Sequence, residues 1–144
     1  MRWIAAFTAT LLVTSLAAAQ DFDPYSGRYE SDDGQLIADV APVSEGAYAV
    51  SITTTVKMTE EFNGCGGGVD GQVEIVDGSG LMQVQDQFSD SDPINSEGSA
   101  PYCQVDLQFG EDGTLLIEEI GGCLSFHGAS CSFSGTLTHE GAGI

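Results

Sequence analysis

Ala47-Tyr48-Ala49-Val50-Ser51-Ile52-Thr53-Thr54-Thr55-Val56-Lys57-Met58 is the stretch that decides the fold. Read with a period of two, it places Tyr48, Val50, Ile52, Val56 and Met58 on one face. Ala49, Ser51, Thr53, Thr55 and Lys57 fall on the other. Alternation of this kind, rich in β-branched residues, predicts a long half-buried strand.

The same rhythm continues in both directions. Upstream, Gly27–Ser31 predicts a first strand, Asp32-Asp33-Gly34 a turn, and Leu36–Val40 a second strand ended by Pro42 and Gly46. Downstream, Asn63–Gly68 breaks the pattern, and Val69–Val76 resumes it, with Gly71 marking a bulge or a close approach. Asp77-Gly78-Ser79-Gly80 turns the chain into Leu81–Phe88, and a polar loop, Ser89–Pro101, follows. Cys103, Val105, Leu107 and Phe109 then alternate with polar residues. Glu111-Asp112-Gly113 is a hairpin signal leading into Leu115–Ile120, and Cys131–His139 closes the series. About eight short strands joined by tight turns predict an all-β antiparallel meander. A small barrel and a two-sheet sandwich both fit. The barrel is preferred because pairing the first and last strands removes exposed edges.

Residues 1–19 read differently. Arg2 supplies a positive start, Ile4–Leu16 a short apolar run, and Ala17-Ala18-Ala19 a small-residue site, which together predict a secretory signal. A comfortable membrane span needs about 20 apolar residues, more than this run offers. Cleavage before Gln20 leaves residues 20–144 as one acidic β-domain in the periplasm or outside the cell. Past Ala19 two basic side chains, Arg28 and Lys57, oppose 22 acidic ones, a formal net charge of −20. Such a surface repels nucleic acid and anionic lipid and attracts cations and basic proteins.

Four cysteines in an exported chain predict two disulfides rather than zinc, because Cys65, Cys103, Cys123 and Cys131 lack the close spacing of zinc ligands. The expected pairs are Cys123–Cys131, bracketing a short glycine-containing loop, and Cys65–Cys103, closing a long one. That crosslinked loop supplies the candidate binding residues Ser125, Phe126, His127 and Ser130, since a preorganised loop loses less entropy on binding.

Catalytic motifs are sparse. There is no Gly-x-Ser-x-Gly elbow, and past the signal only His127 and His139 offer an imidazole base. His127 near Ser125 and Ser130, or a pair among the many acids, leaves a small hydrolase as an alternative. Asp86, Asp90, Asp92 and Glu97 occupy positions 1, 5, 7 and 12 of an EF-hand-like register, a calcium candidate weakened by Phe88 at position 3 and Ser91 at the turn position. No cofactor is expected.

Three motifs carry a resemblance: Gly27-Arg28-Tyr29 at the opening, Gly64-Cys65-Gly66 in mid-chain, and the closing Gly122-Cys123 with Gly128, Cys131, Phe133 and Gly135. They resemble those of small periplasmic β-proteins of Gram-negative bacteria. In size, export and barrel character the chain is also similar to bacterial lysozyme inhibitors. The resemblance implies a non-enzymatic binding protein that engages a protein or cell-envelope component, such as a basic enzyme like lysozyme. An acidic structural or tolerance protein with no specific ligand is the other alternative.

Overall fold

The computed structural model describes residues 23–86 and 102–142; the signal segment and Asp90, Asp92 and Glu97 of the calcium candidate lie outside them. The described residues form one eight-stranded antiparallel sheet and no helix. Its strands are β1 (Gly27–Glu30), β2 (Leu36–Ser44), β3 (Ala47–Val56), β4 (Cys65–Glu74), β5 (Ser79–Gln85), β6 (Tyr102–Phe109), β7 (Thr114–Gly121) and β8 (Gly135–His139). The spatial order is β4-β3-β2-β1-β8-β7-β6-β5, so the first and last strands pair and the sheet curls into a nearly closed barrel. The single-barrel reading therefore holds over the sandwich.

Inward-facing positions fill the barrel. Ala38, Ile52, Met82, Val105, Leu107, Leu115, Phe133 and Leu137 are fully buried, all on strands except Phe133, which lies just upstream of β8. An eight-stranded barrel is just wide enough for side chains to fill, which suits this mixture of small and large residues. Tyr48, Val50 and Ile52 of β3 point inward as the alternation requires, and Thr54 joins them. Met58 does not: β3 ends at Val56, and the Met58 side chain is 76% exposed.

Besides smaller shifts at other strand ends, three boundaries differ more widely from the expectations. β2 runs through Pro42 to Ser44, because the register with β3 shifts between those two residues and the proline nitrogen is accommodated at that irregularity. β4 begins at Cys65 rather than Val69: Gly66, Gly67 and Gly68 lie opposite Thr55, Thr54 and Thr53, so the β3 backbone holds a segment with no side-chain pattern of its own. The closing strand starts only at Gly135.

Closure is incomplete between β4 and β5, neighbours in sequence at the two ends of the sheet order. They are joined at their turn, where Asp77 (φ 52°) and Gly78 (φ 79°) take left-handed conformations and Val76 and Ser79 exchange backbone hydrogen bonds. Beyond it they touch by close packing without a ladder. A Cβ on Gly71 would lie 2.7 Å from Val84 Cγ2, so this glycine marks a close approach and not a bulge, its register with Val50 being regular.

Candidate functional site

The disulfides correct the expected pairing. Cys65 bonds Cys131, and Cys103 bonds Cys123. The β6–β7 register sets Gln104 opposite Gly121, so Cys123, just past β7, arrives over Cys103 with a Cα–Cα distance of 4.4 Å. Both of these sulfurs are buried. Cys131 ends a segment laid against the start of β4, where it meets Cys65. The segment 123–131 is thus pinned at each end to a different strand and is not a loop closed on itself. Two disulfides among 144 residues are the mark of an oxidising compartment.

That segment seals the seam. Gly68 N donates to Phe126 O at 3.0 Å and Gly128 N to Gly66 O at 3.4 Å, with Gly67 bridging His127 in antiparallel sense. It therefore pairs with the free edge of β4 where β5 has veered away, and an unpaired edge is covered. Ser125 Oγ donates to Asp86 Oδ2 at 2.6 Å, tying the segment to the end of β5. His127 is buried, its ring edge-to-face with Phe133 at 4.9 Å. Its Nδ1 lies 2.6 Å from Gly128 O and its Nε2 2.9 Å from Glu119 Oε2, which also accepts the Phe133 amide.

These contacts decide what the sequence candidates can do. His127 faces a carboxylate and a carbonyl on its two nitrogens, and Ser125 bonds Asp86, so serine and imidazole are not brought together as nucleophile and base. Phe126 is half-buried against the core, while Ser130 and Leu124 are exposed, Leu124 by 74%. Phe126 and His127 hold the barrel shut; the candidate binding loop presents Leu124, Ser125 and Gly128–Ser130 outward. Among the described residues no cluster of His, Cys, Asp or Glu is arranged to hold a metal ion.

The opposite end of the barrel carries a cleft that the sequence reading did not assemble. The β4–β5 turn, the β6–β7 turn, the residues before β1 and those after β8 all converge there. The cleft has a volume of about 850 Å³ and is lined by Tyr25, Tyr29, Phe109, Asp77, Glu111 and Asp112 among others. Tyr25 and Phe109 stack with centroids 5.0 Å apart and planes tilted by 51°, and Tyr29 meets Phe109 edge-on at 5.7 Å.

Asp23 organises the near wall. It accepts the Tyr25 and Ser26 amides, the Ser26 hydroxyl and the Tyr48 hydroxyl. Burial opposes its ionisation, but these bonds outweigh burial and hold the carboxyl below its usual range. Burial and then the Asp23 charge push the Tyr29 hydroxyl up to about 12, and that hydroxyl donates to Tyr25 O at 2.9 Å. His139 Nδ1 accepts the Gly141 amide, so Nε2 carries the proton it donates to Ser26 O at 3.0 Å. The lining contains no lysine or arginine. Arg28 lies on the barrel wall, within salt-bridge distance of Asp39 (3.6 Å) and Glu140 (3.2 Å).

No helix among the described residues is long and apolar enough to cross a membrane. No protein-family model, no curated protein and no solved structure matches the chain, which leaves its own geometry as the ground for its function.

Proposed function

We propose that this is an exported, non-enzymatic binding protein whose partner is a basic protein, lysozyme being a natural test case. The observation that carries the reading is the charge. Arg28 and Lys57 are the only basic side chains against 22 carboxylates past Ala19, and Arg28 is already engaged by two of them. Opposite charge speeds encounter and selects basic partners. The scaffold adds rigidity: a filled barrel with two disulfides and a sealed seam loses little entropy on association.

Charge alone gives weak attraction that fades as the Debye length falls below about 8 Å. A specific complex loses on-rate in salt yet persists. The test is to measure binding of residues 20–144 to lysozyme, to a second basic protein and to an acidic protein of similar size, at about 0.05 M and about 0.5 M salt. The expected result is a saturable complex with lysozyme alone, weakened but measurable at the higher salt. Equal, non-saturating attraction to any cationic surface, gone at the higher salt, would reduce the charge to a solubility device.

A further inference from the structure

We propose that the cleft at the β4–β5 and β6–β7 turn end is a binding site for an arginine side chain and its flanking peptide, seated on Tyr25 and Phe109 beside the carboxylates of Asp77 and Glu111. This rests on the basic-partner reading and deepens it by naming the contact surface.

Three independent features converge on that ligand chemistry. The first is the aromatic floor: Tyr25 and Phe109 are each half-buried and open onto the cleft, held at 5.0 Å by mutual packing. A guanidinium stacks on such faces and is less strongly hydrated than an ammonium, so it loses less on entering a partly apolar cleft. The second is the rim. Asp77 stands on the β4–β5 turn and Glu111 and Asp112 on the β6–β7 turn, so carboxylates from two turns line the cleft together with the floor, one Asp112 oxygen already accepting the Thr114 amide and hydroxyl; carboxylates match the planar guanidinium fork.

The third is what the lining lacks and what it has already used. It holds no basic side chain to neutralise the rim. Asp23, deeper in, spends its oxygens on Tyr25, Ser26 and Tyr48, and both His139 nitrogens are occupied by backbone groups. These groups fix the walls rather than compete for a ligand. At about 850 Å³ the cleft is also within the size range of small-molecule sites, with room for an extended residue on either side of the arginine.

At the other end of the barrel, among the described residues, the hollow beside Phe126 is bounded by Asp70 and Asp86, but Asp86 is bonded to Ser125.

The experiment titrates N-acetyl-arginine-amide, and in parallel its uncharged isostere N-acetyl-citrulline-amide, into isotopically labelled residues 20–144. Chemical shifts and lysozyme binding are both followed. The expected result is saturable shifts at the Tyr25 and Phe109 rings and at the amides of 77–78 and 110–113 with arginine only. Saturation should need at least fivefold more ligand in Asp77→Asn, whose side chain tolerates the same left-handed backbone, and in Glu111→Gln. Phe109→Leu, which keeps apolar volume but removes the ring face, should weaken arginine at least threefold. If Phe109→Leu misfolds, the two carboxylate variants decide, since they lie on exposed turns.

Small non-saturating shifts spread over the surface, or equal response to citrulline, would overturn the site. Lysozyme binding unchanged in Asp77→Asn and Glu111→Gln, alongside such a null titration, overturns the cleft and leaves the basic-partner reading standing. Saturable arginine binding at the cleft without any lysozyme complex supports the site and removes lysozyme as its partner.

Discussion

Replacing Gly67 by alanine tests whether the segment 123–131 seals the barrel. A Cβ on Gly67 would lie 2.5 Å from both Cα and Cβ of His127, and closer still to Phe126 O. These are backbone or backbone-proximal atoms that cannot rotate away, so the segment must shift outward by about 1 Å to reach ordinary contact. That shift removes the bonds from Gly68 N to Phe126 O and from Gly128 N to Gly66 O, each worth a net ~0.5–1.5 kcal/mol. It also loosens Phe126 and His127, so the loss should be about 2–3 kcal/mol, in the upper range for overpacking. The neighbours are internal controls. A Cβ on Gly66 would meet only Thr54 O at 3.7 Å, and one on Gly68 only Ile52 O at 3.5 Å and the Thr53 hydroxyl at 3.9 Å. Gly66→Ala should be neutral or stabilising by up to ~1 kcal/mol through reduced unfolded-state entropy. Chemical denaturation with disulfides intact gives the free energies, and hydrogen exchange at the Gly68 and Gly128 amides reports the seam directly. If Gly67→Ala matches Gly66→Ala in stability and the Gly68 amide stays protected, the seam is not closed as described.

Tyr29 keeps its proton in the native state up to about 12, against about 10 when unfolded, so stability should fall by about 2 kcal/mol as pH rises through that interval. Alkaline melts of Tyr29→Phe should lack this decline, while costing about 1 kcal/mol at neutral pH for the lost bond to Tyr25 O. Asp23 has the opposite sign. Its native carboxyl titrates below the unfolded value of 3.8, so its contribution is present above that pH and lost as pH falls through the native value. Acid unfolding of Asp23→Asn should be flatter there, with loss of the Tyr48 hydroxyl protection as the local readout. Glu119→Ala leaves His127 Nε2 and the Phe133 amide without their acceptor, and should lower stability by about 2–4 kcal/mol in thermal melts, whereas Glu118→Ala on the exposed face should change it by under ~0.5 kcal/mol. Non-reducing peptide mapping should recover Cys65–Cys131 and Cys103–Cys123. Cys65→Ser with Cys131→Ser should cost about 4 kcal/mol in the chain-entropy account, for a closed span of 66 residues.

What the sequence disclosed, and what it hid, follows from the range of each interaction. Alternation in Tyr48-Ala49-Val50-Ser51-Ile52 is a local property, and β3 and its inward face were legible from it. The Asp77-Gly78 and Asp112-Gly113 turns were legible for the same reason: their glycines take φ values of 79° and 82°, which the residue type announces. The first turn of β4 was not. Gly66-Gly67-Gly68 carries no side-chain pattern, and its strand conformation comes from the Thr53–Thr55 run it pairs with, distant in sequence. The disulfide pairing failed on the same ground. Cys123 and Cys131 are near in sequence, but the segment between them lies along β4 and carries its ends to Cys103 and Cys65. His127 was visible as a candidate by residue type alone, while its partner Glu119 was one acid among 22.

The same logic locates the cleft. In an antiparallel meander the β2–β3, β4–β5 and β6–β7 turns share one end with the start of β1 and the end of β8. Tyr25, Asp77, Glu111 and His139 are therefore neighbours by topology, although no two are within twenty residues of each other in sequence except through that closure. The other end holds both disulfides, the β4 edge pairing and the His127–Glu119 contact. Covalent and hydrogen-bonded constraints concentrated at one end leave the opposite end's turns free of crosslinks, and binding residues gain precision when turns are held by a rigid sheet. A consequence separates the two ends experimentally. Substitutions at Gly67, Glu119 or the cysteines should change stability far more than ligand affinity per folded molecule. Substitutions at Asp77 and Glu111 should do the reverse, because those carboxylates sit on exposed turns and contribute charge to the rim rather than packing to the core. A mutant series in which both classes shift stability and affinity together would mean that the barrel ends are coupled and that the cleft is not an independent site.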